Sequence, residues 1–275
     1  MKIVFFGSGG YVIPIIEALQ KHGLELVITT ESEGKLFEYL KKNEIPFISS
    51  HLKNPDDVQK VKDVRADLGV LASYGAILPQ EILDLFPKGI LNVHPSLLPA
   101  FKGPSPIQST ILSGVSKTGV TIIKLDDQVD HGPIGAQQEV ELNSHETLQE
   151  LKESLFAKGA ALIEKLIEYM EVGKEVPFIA QKTEGESWTH KVTRKDAEIK
   201  PGEIEPDELE RKVRAFYPWP GVFFRTILGG KEKIMKLLPE GKIQVEGKIP
   251  MDFKSFVNGY GKEAEEILRR LRLWE

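Results

Sequence analysis

Gly89-Ile90-Leu91-Asn92-Val93-His94-Pro95-Ser96-Leu97-Leu98-Pro99 decides how the rest of the chain is read. Residues 90–94 form an apolar run of strand character that carries two polar side chains, Asn92 and His94. Side chains two apart on a strand point to the same face, so the carboxamide and the imidazole project together. A strand cannot continue normally through two prolines so close together, which places the pair at the strand's C-terminal end. In an open α/β sheet, that end is where ligands bind. A second apolar run, 119–125, leads into Asp126-Asp127-Gln128-Val129-Asp130-His131-Gly132-Pro133. This acidic loop is expected to return the Asp130 carboxylate to the imidazole.

Amide, imidazole and carboxylate suit the attack of an amine on an acyl carbon. Such an attack makes a tetrahedral oxyanion and an excess proton. Asn92 and an N–H of His94 can stabilise the oxyanion. Asp130 can accept the proton, directly or through water, while holding the imidazole in one tautomer. Singly, each residue has a plainer reading: a turn Asn, a structural His, a turn Asp. The combination points to chemistry.

Outward from this stretch the chain alternates strands and helices. Residues 3–6, 24–30, 46–48 and 68–72 read as buried strands. Helical patterns cover 12–19, 33–42, 54–64 and 81–86, with Asn54 as a cap. The expected fold class is α/β: an open, mostly parallel, Rossmann-like sheet with helices on both faces. Gly7-Ser8-Gly9-Gly10 after the first strand invites a dinucleotide reading. The third glycine of that fingerprint would fall on Val12, and no acidic residue clearly ends the second strand. A nicotinamide-dependent dehydrogenase, or a ligand-binding module without chemistry, is the distant alternative.

Beyond Pro133 a strand is expected over 134–142. A long helix follows, with Leu148, Leu151, Leu155, Leu162, Leu166 and Met170 as its apolar stripe. A polar connector then leads to a helix over 206–216. Tyr217 and Trp219, in a proline-rich turn, are read as packing residues. About three strands follow, with a hairpin across Gly229-Gly230, and then a last helix over 263–273. The expected domains are 1–180 (catalytic), 181–205 (linker) and 206–275 (a small β-rich domain resembling a reduced OB barrel).

The 275 residues suffice for a full core. Cysteine is absent, which excludes disulfides and thiolate chemistry and fits a cytoplasmic protein. No apolar run approaches the ~20 residues of a membrane span, so no membrane association is expected. The net charge of −5 gives no global support for nucleic-acid binding. The six histidines are scattered, and no metal is expected.

Several separated motifs carry a resemblance. Asn92-Val93-His94-Pro95-Ser96-Leu97-Leu98-Pro99, Lys102-Gly103, Pro106-Ile107-Gln108, Thr118-Gly119-Val120-Thr121 and Val129-Asp130-His131-Gly132-Pro133-Ile134 together resemble the folate-dependent formyltransferase family. The resemblance implies that Asn92, His94 and Asp130 are catalytic. It implies 10-formyltetrahydrofolate as donor, bound by Ala76, Ile77, Leu78, Ser96, Leu97, Leu98, Pro99, Gln128 and Val129. Pro106-Ile107-Gln108 and the connector are most similar to the branch acting on initiator methionyl-tRNA, which makes that tRNA the expected acceptor. An amino sugar nucleotide is the alternative. A monomer is expected. The sequence departs from that branch in two places. A long basic loop after the second strand is replaced by Glu31-Ser32-Glu33-Gly34-Lys35, and the C-terminal barrel is shortened.

Overall fold

The computed structural model describes residues 1–274, which form two compact units, each drawn from more than one chain segment. The first holds Met1–Pro106, Lys117–Glu141 and Lys152–Thr189. The second holds Ile107–Ser116, Leu142–Leu151 and His190–Glu275. Residues 181–189 of the expected linker therefore belong to the first unit, and 190–205 to the second.

The first unit is built on a seven-stranded sheet. Its strands are β1 (Ile3–Gly7), β2 (Leu24–Thr29), β3 (Phe47–Ser49), β4 (Leu68–Ala72), β5 (Ile90–His94), β6 (Lys117–Lys124) and β7 (Ile134–Glu141), in the order β3-β2-β1-β4-β5-β6-β7. The first five are parallel, β6 pairs antiparallel with β5, and β7 pairs antiparallel with β6, so that only β6 runs opposite to the rest. The direction of winding reverses between β1 and β4, where such sheets open a crevice. β1 is buried along its whole length, as a central parallel strand must be.

Helices cover both faces of this sheet; in chain order the first two are α1 (Ile13–Gln20) and α2 (Lys35–Lys42), and α5 (Pro106–Ser113) follows β5. On one, Val58 and Val61 of α3 (Pro55–Val64) and Ile82 of α4 (Gln80–Leu83) pack with Val4, Phe6, Ile28 and Ile90. Asn54 caps α3, its Oδ1 accepting the Asp56 N–H at 3.1 Å. On the other face lies α6 (Leu148–Glu171). Gly159 lets α6 come close to the sheet, since a Cβ there would stand 2.6 Å from Val93 Cγ1. The buried stripe of α6 in this unit runs through Leu155, Phe156, Ala160, Ile163, Leu166 and Ile167. Leu162 and Met170, expected in that stripe, are only half-buried. A 3.6-residue repeat drifts away from them toward Ile163 and Ile167.

The second unit contains a four-stranded antiparallel sheet: β8 (Phe223–Leu228), β9 (Lys231–Leu238), β10 (Lys242–Val245) and β11 (Met251–Asp252). Gly229 and Gly230 turn the β8–β9 hairpin with φ of 59° and 71°, as a primed two-residue turn needs. The short β11 and helix α8 (Phe253–Tyr260) go beyond the three strands and single final helix expected from sequence. Asp252 caps α8 by accepting the Ser255 N–H at 2.6 Å. Phe224, Met235, Ile243 and Phe256 are fully buried in this unit, as are Phe216 of α7 (Pro206–Phe216) and Leu268 of α9 (Lys262–Arg270).

Tyr217 and Trp219 correct the packing expectation: they are 40% and 59% exposed. Phe216 is the member of that aromatic run that enters the core, and the turn that follows carries the other two rings outward. Among the described residues, no helix is long and apolar enough to cross a membrane.

Candidate active site

Ile90, Asn92 and His94 share one face of β5, the face covered by α3 and α4. Asn92 and His94 are nonetheless buried, with 6% and 4% exposure. Polar groups so placed need partners, and the loop after β6 supplies one. Asp130, also buried, points its carboxylate at both. Asn92 Nδ2 donates to Asp130 Oδ1 at 3.3 Å, and His94 Nδ1 lies 3.4 Å from the same oxygen. The other oxygen, Oδ2, accepts the Gly103 N–H at 2.8 Å. The structure thus brings together the three residues singled out from sequence.

Asp130 adopts φ +49°, a left-handed conformation that few side chains tolerate and that Asp accepts more readily than most. The surroundings hold it there. Gln181 Nε2 donates to the main-chain oxygens of Asp130 at 2.8 Å and of Gly132 at 2.9 Å. Burial pushes the Asp130 carboxyl up, but this is outweighed. The His94 imidazole, the Gly103 N–H and the Lys102 ammonium together hold it below the usual carboxylate range. It is therefore an anion at neutral pH, able to accept a proton or to orient one.

His94 is gripped at both ring nitrogens. Nε2 faces the Phe101 carbonyl at 3.1 Å, opposite the carboxylate at Nδ1. Either N–H tautomer is thus bonded. An oxyanion that used Nε2–H would take it from, or share it with, Phe101. Asn92 keeps one amide N–H beyond the one given to Asp130.

Beside the trio is a cavity of about 380 Å³. Asn92 and Asp130 form part of its wall, with Ala76, Ile77, Leu78, Gln128 and Val129 around it. Ile77 and Val129 are apolar and 85% and 50% exposed, surface suited to the face of a flat ring. Ser96, Leu97, Leu98 and Pro99 do not line this cavity. They form a braced turn against β6 and β7. Thr121 Oγ1 donates to the Ser96 carbonyl at 2.6 Å and accepts the Leu98 N–H at 3.1 Å. Gln137 Nε2 donates to the Leu98 carbonyl at 3.0 Å.

Four further groups near the trio were not legible as site residues: Phe101, Gly103, Lys102 and Gln181. Two of them act through main-chain atoms, which sequence does not reveal. Lys102 is 2% exposed, with Nζ 3.5 Å from Glu186 and 5.4 Å above the Trp188 ring. Gln181 lies in the polar connector, where an exposed side chain was the natural reading. Gln108, expected near the catalytic end, is half-buried and falls in the second unit. Elsewhere in the first unit, His22, Glu164 and Glu168 bring possible ligand atoms within 4.8 Å of one another. Lys21 and Glu171 already engage that group, at 2.7 Å to Glu164 and 2.9 Å to His22.

Comparison with known proteins identifies the family and the fold. Residues 1–167 match the formyl transferase family model. A methionyl-tRNA formyltransferase from Orientia tsutsugamushi is 35% identical over 237 residues, covering 82% of this chain and 76% of that protein. Among solved structures, a 4-N formyltransferase from Francisella tularensis has the same fold, with a TM-score of 0.69, 21% identity and coverage of 86% of this chain and 96% of that one. HypX from Aquifex aeolicus, solved with tetrahydrofolic acid, also shares the fold, at a TM-score of 0.63, 16% identity and coverage of 95% of this chain and 48% of that one. The chain is an enzyme of the formyl transferase family, similar over 82–86% of its length to proteins named methionyl-tRNA formyltransferase.

Proposed function

We propose that this chain moves the formyl group of 10-formyltetrahydrofolate to the amino group of initiator methionyl-tRNA. One observation carries the reading. Asn92 and Asp130, the latter with His94 3.4 Å from its carboxylate, stand in the wall of a cavity whose other lining, Ala76-Ile77-Leu78 and Gln128-Val129, suits a pterin. The acceptor nitrogen attacks the formyl carbon, forming a C–N bond and a tetrahedral oxyanion. The free N–H of Asn92 and an N–H of His94 donate to that oxyanion. The attacking amine must lose a proton, and Asp130, ionised and bonded to His94, accepts it directly or through water. Collapse breaks the bond from carbon to N10 of the folate, and N10 takes up a proton. Fixed donors in a buried site need no reorganisation as the charge develops, which is why burial of the trio favours the reaction.

A second acceptor, an amino sugar nucleotide, is favoured by one observation. The connection from β2 to α2 (Lys35–Lys42) is only Thr30-Glu31-Ser32-Glu33-Gly34. It carries two acidic residues and no basic one, the wrong sign for a phosphate backbone. Formyl transfer from 10-formyltetrahydrofolate, assayed against methionyl-tRNA and against amino sugar nucleotides, separates the two. Transfer to methionyl-tRNA is expected, and transfer to the sugar alone would replace the first reading.

A further inference from the structure

We propose that Gln181 is a positioning residue for Asp130, and that residues 181–189 form a strap that sets the geometry of the site. The proposal rests on the reading of the site given above. At one end of the strap, the Gln181 amide donates to two main-chain carbonyls of the acidic loop, Asp130 and Gly132, at 2.8 and 2.9 Å. Its own oxygen, Oε1, is buried with no hydrogen-bond partner. The opposite amide orientation would set that oxygen against two carbonyls, so the donors must face the loop. An orphaned buried carbonyl destabilises the fold. A side chain kept only for stability would shed that oxygen, whereas one kept to present two donors at this reach has to carry it.

The other end of the strap grips the opposing loop. Phe101 N–H donates to Ser187 Oγ at 2.8 Å, and Lys102 N–H to the Ser187 carbonyl at 2.8 Å. Thr189 N–H donates to the Lys102 carbonyl at 2.7 Å, and Thr189 Oγ1 accepts the Ser105 N–H at 3.1 Å. This is the loop whose Phe101 carbonyl faces His94 Nε2 and whose Gly103 N–H holds Asp130 Oδ2. One short segment therefore fixes the carboxylate's loop and the counter-loop that clamps both the carboxylate and the imidazole. Gln181 touches no reacting atom; it acts through Asp130.

The test compares wild type with Gln181→Met, which keeps the length and removes both the donors and the orphaned oxygen. Glu184→Gln, an exposed change in the same strap, is the control. Misplacing a reacting group by about 1 Å costs on the order of 10²-fold in rate. We expect kcat to fall by that order in Gln181→Met with donor KM nearly unchanged, and the melting temperature to drop because the buried Asp130 and Gly132 carbonyls lose their donors. The acid limb of the pH–rate profile should move up, because a carboxylate loosened from His94 and Gly103 protonates more readily. Wild-type kcat and an unmoved acid limb in Gln181→Met would overturn the proposal. If that variant does not fold, Ser187→Ala tests the other end of the strap: the same fall in kcat and the same shift of the acid limb support the proposal, and wild-type behaviour overturns it. NMR titration of the Asp130 carboxyl carbon needs no turnover. A Gln181-dependent titration in a wild type that transfers no formyl group would support the positioning and defeat the reaction. Normal transfer with a titration indifferent to Gln181 would defeat the positioning.

Discussion

His94 Nδ1 lies 3.4 Å from Asp130 Oδ1, and Asn92 Nδ2 reaches that same oxygen at 3.3 Å. The carboxylate is thus a hub, with Gly103 N–H on its other oxygen. Asp130→Asn keeps the shape and loses the charge. General-base groups contribute on the order of 10²–10⁴-fold to rate. We expect kcat to fall by at least ~10²-fold and the acid limb of the pH–rate profile to vanish. Formyl transfer measured across the acid and neutral range checks both.

Asn92→Ala and His94→Ala each remove a donor from the developing oxyanion. Loss of one such donor costs roughly 10²–10³-fold in rate. Both variants should stay folded by circular dichroism while turnover falls by that order. Near-normal turnover in either would remove its residue from the mechanism.

Ala76→Phe tests the cavity. The added ring would occupy space that the donor's flat face is expected to take. Donor affinity should weaken by about tenfold or more, equivalent to ~1.4 kcal/mol. A fluorescence titration with a reduced folate reads this, and unaltered affinity would move the donor site elsewhere.

Gly103→Ala tests the loop that clamps Asp130. Gly103 has φ +102°, and a Cβ there would lie 2.8 Å from the Thr189 carbonyl oxygen. Forcing a side chain into that backbone costs about 1–3 kcal/mol. Thermal unfolding should show the loss, and turnover should fall as the N–H on Asp130 Oδ2 shifts.

Acid stability follows from the sign of the Asp130 shift. Its folded pKa lies below the unfolded one, because burial is outweighed by His94, Gly103 and Lys102. The stability it contributes is present above the unfolded carboxylate pKa and is lost as pH falls through the lower, folded value. The stability gap between wild type and Asp130→Asn should begin to narrow below about pH 4 and close only below the lower, folded pKa. A gap that persists unchanged into strong acid would contradict this.

Much of the first unit could be read from sequence because buried parallel strands are largely apolar runs, as in β1 and β4. Asn92 and His94 stood out as polar residues inside such a run. The second unit was harder. β11 spans only Met251–Asp252 and has no periodicity to detect. The role of 181–189 was hidden because much of its grip runs through main-chain atoms, which leave no residue signature. Tyr217 and Trp219 misled because aromatic content predicts burial, whereas the turn that holds them sends the rings outward.

The central claim is that Asn92, His94 and Asp130 act as one unit on a formyl carbon. The most direct test is a single-turnover measurement of formyl transfer from 10-formyltetrahydrofolate to methionyl-tRNA, in wild type and Asp130→Asn, with both substrates saturating. Transfer in wild type, slowed by at least ~10²-fold in the variant at unchanged donor affinity, is the predicted result. Equal single-turnover rates in the two proteins would contradict it.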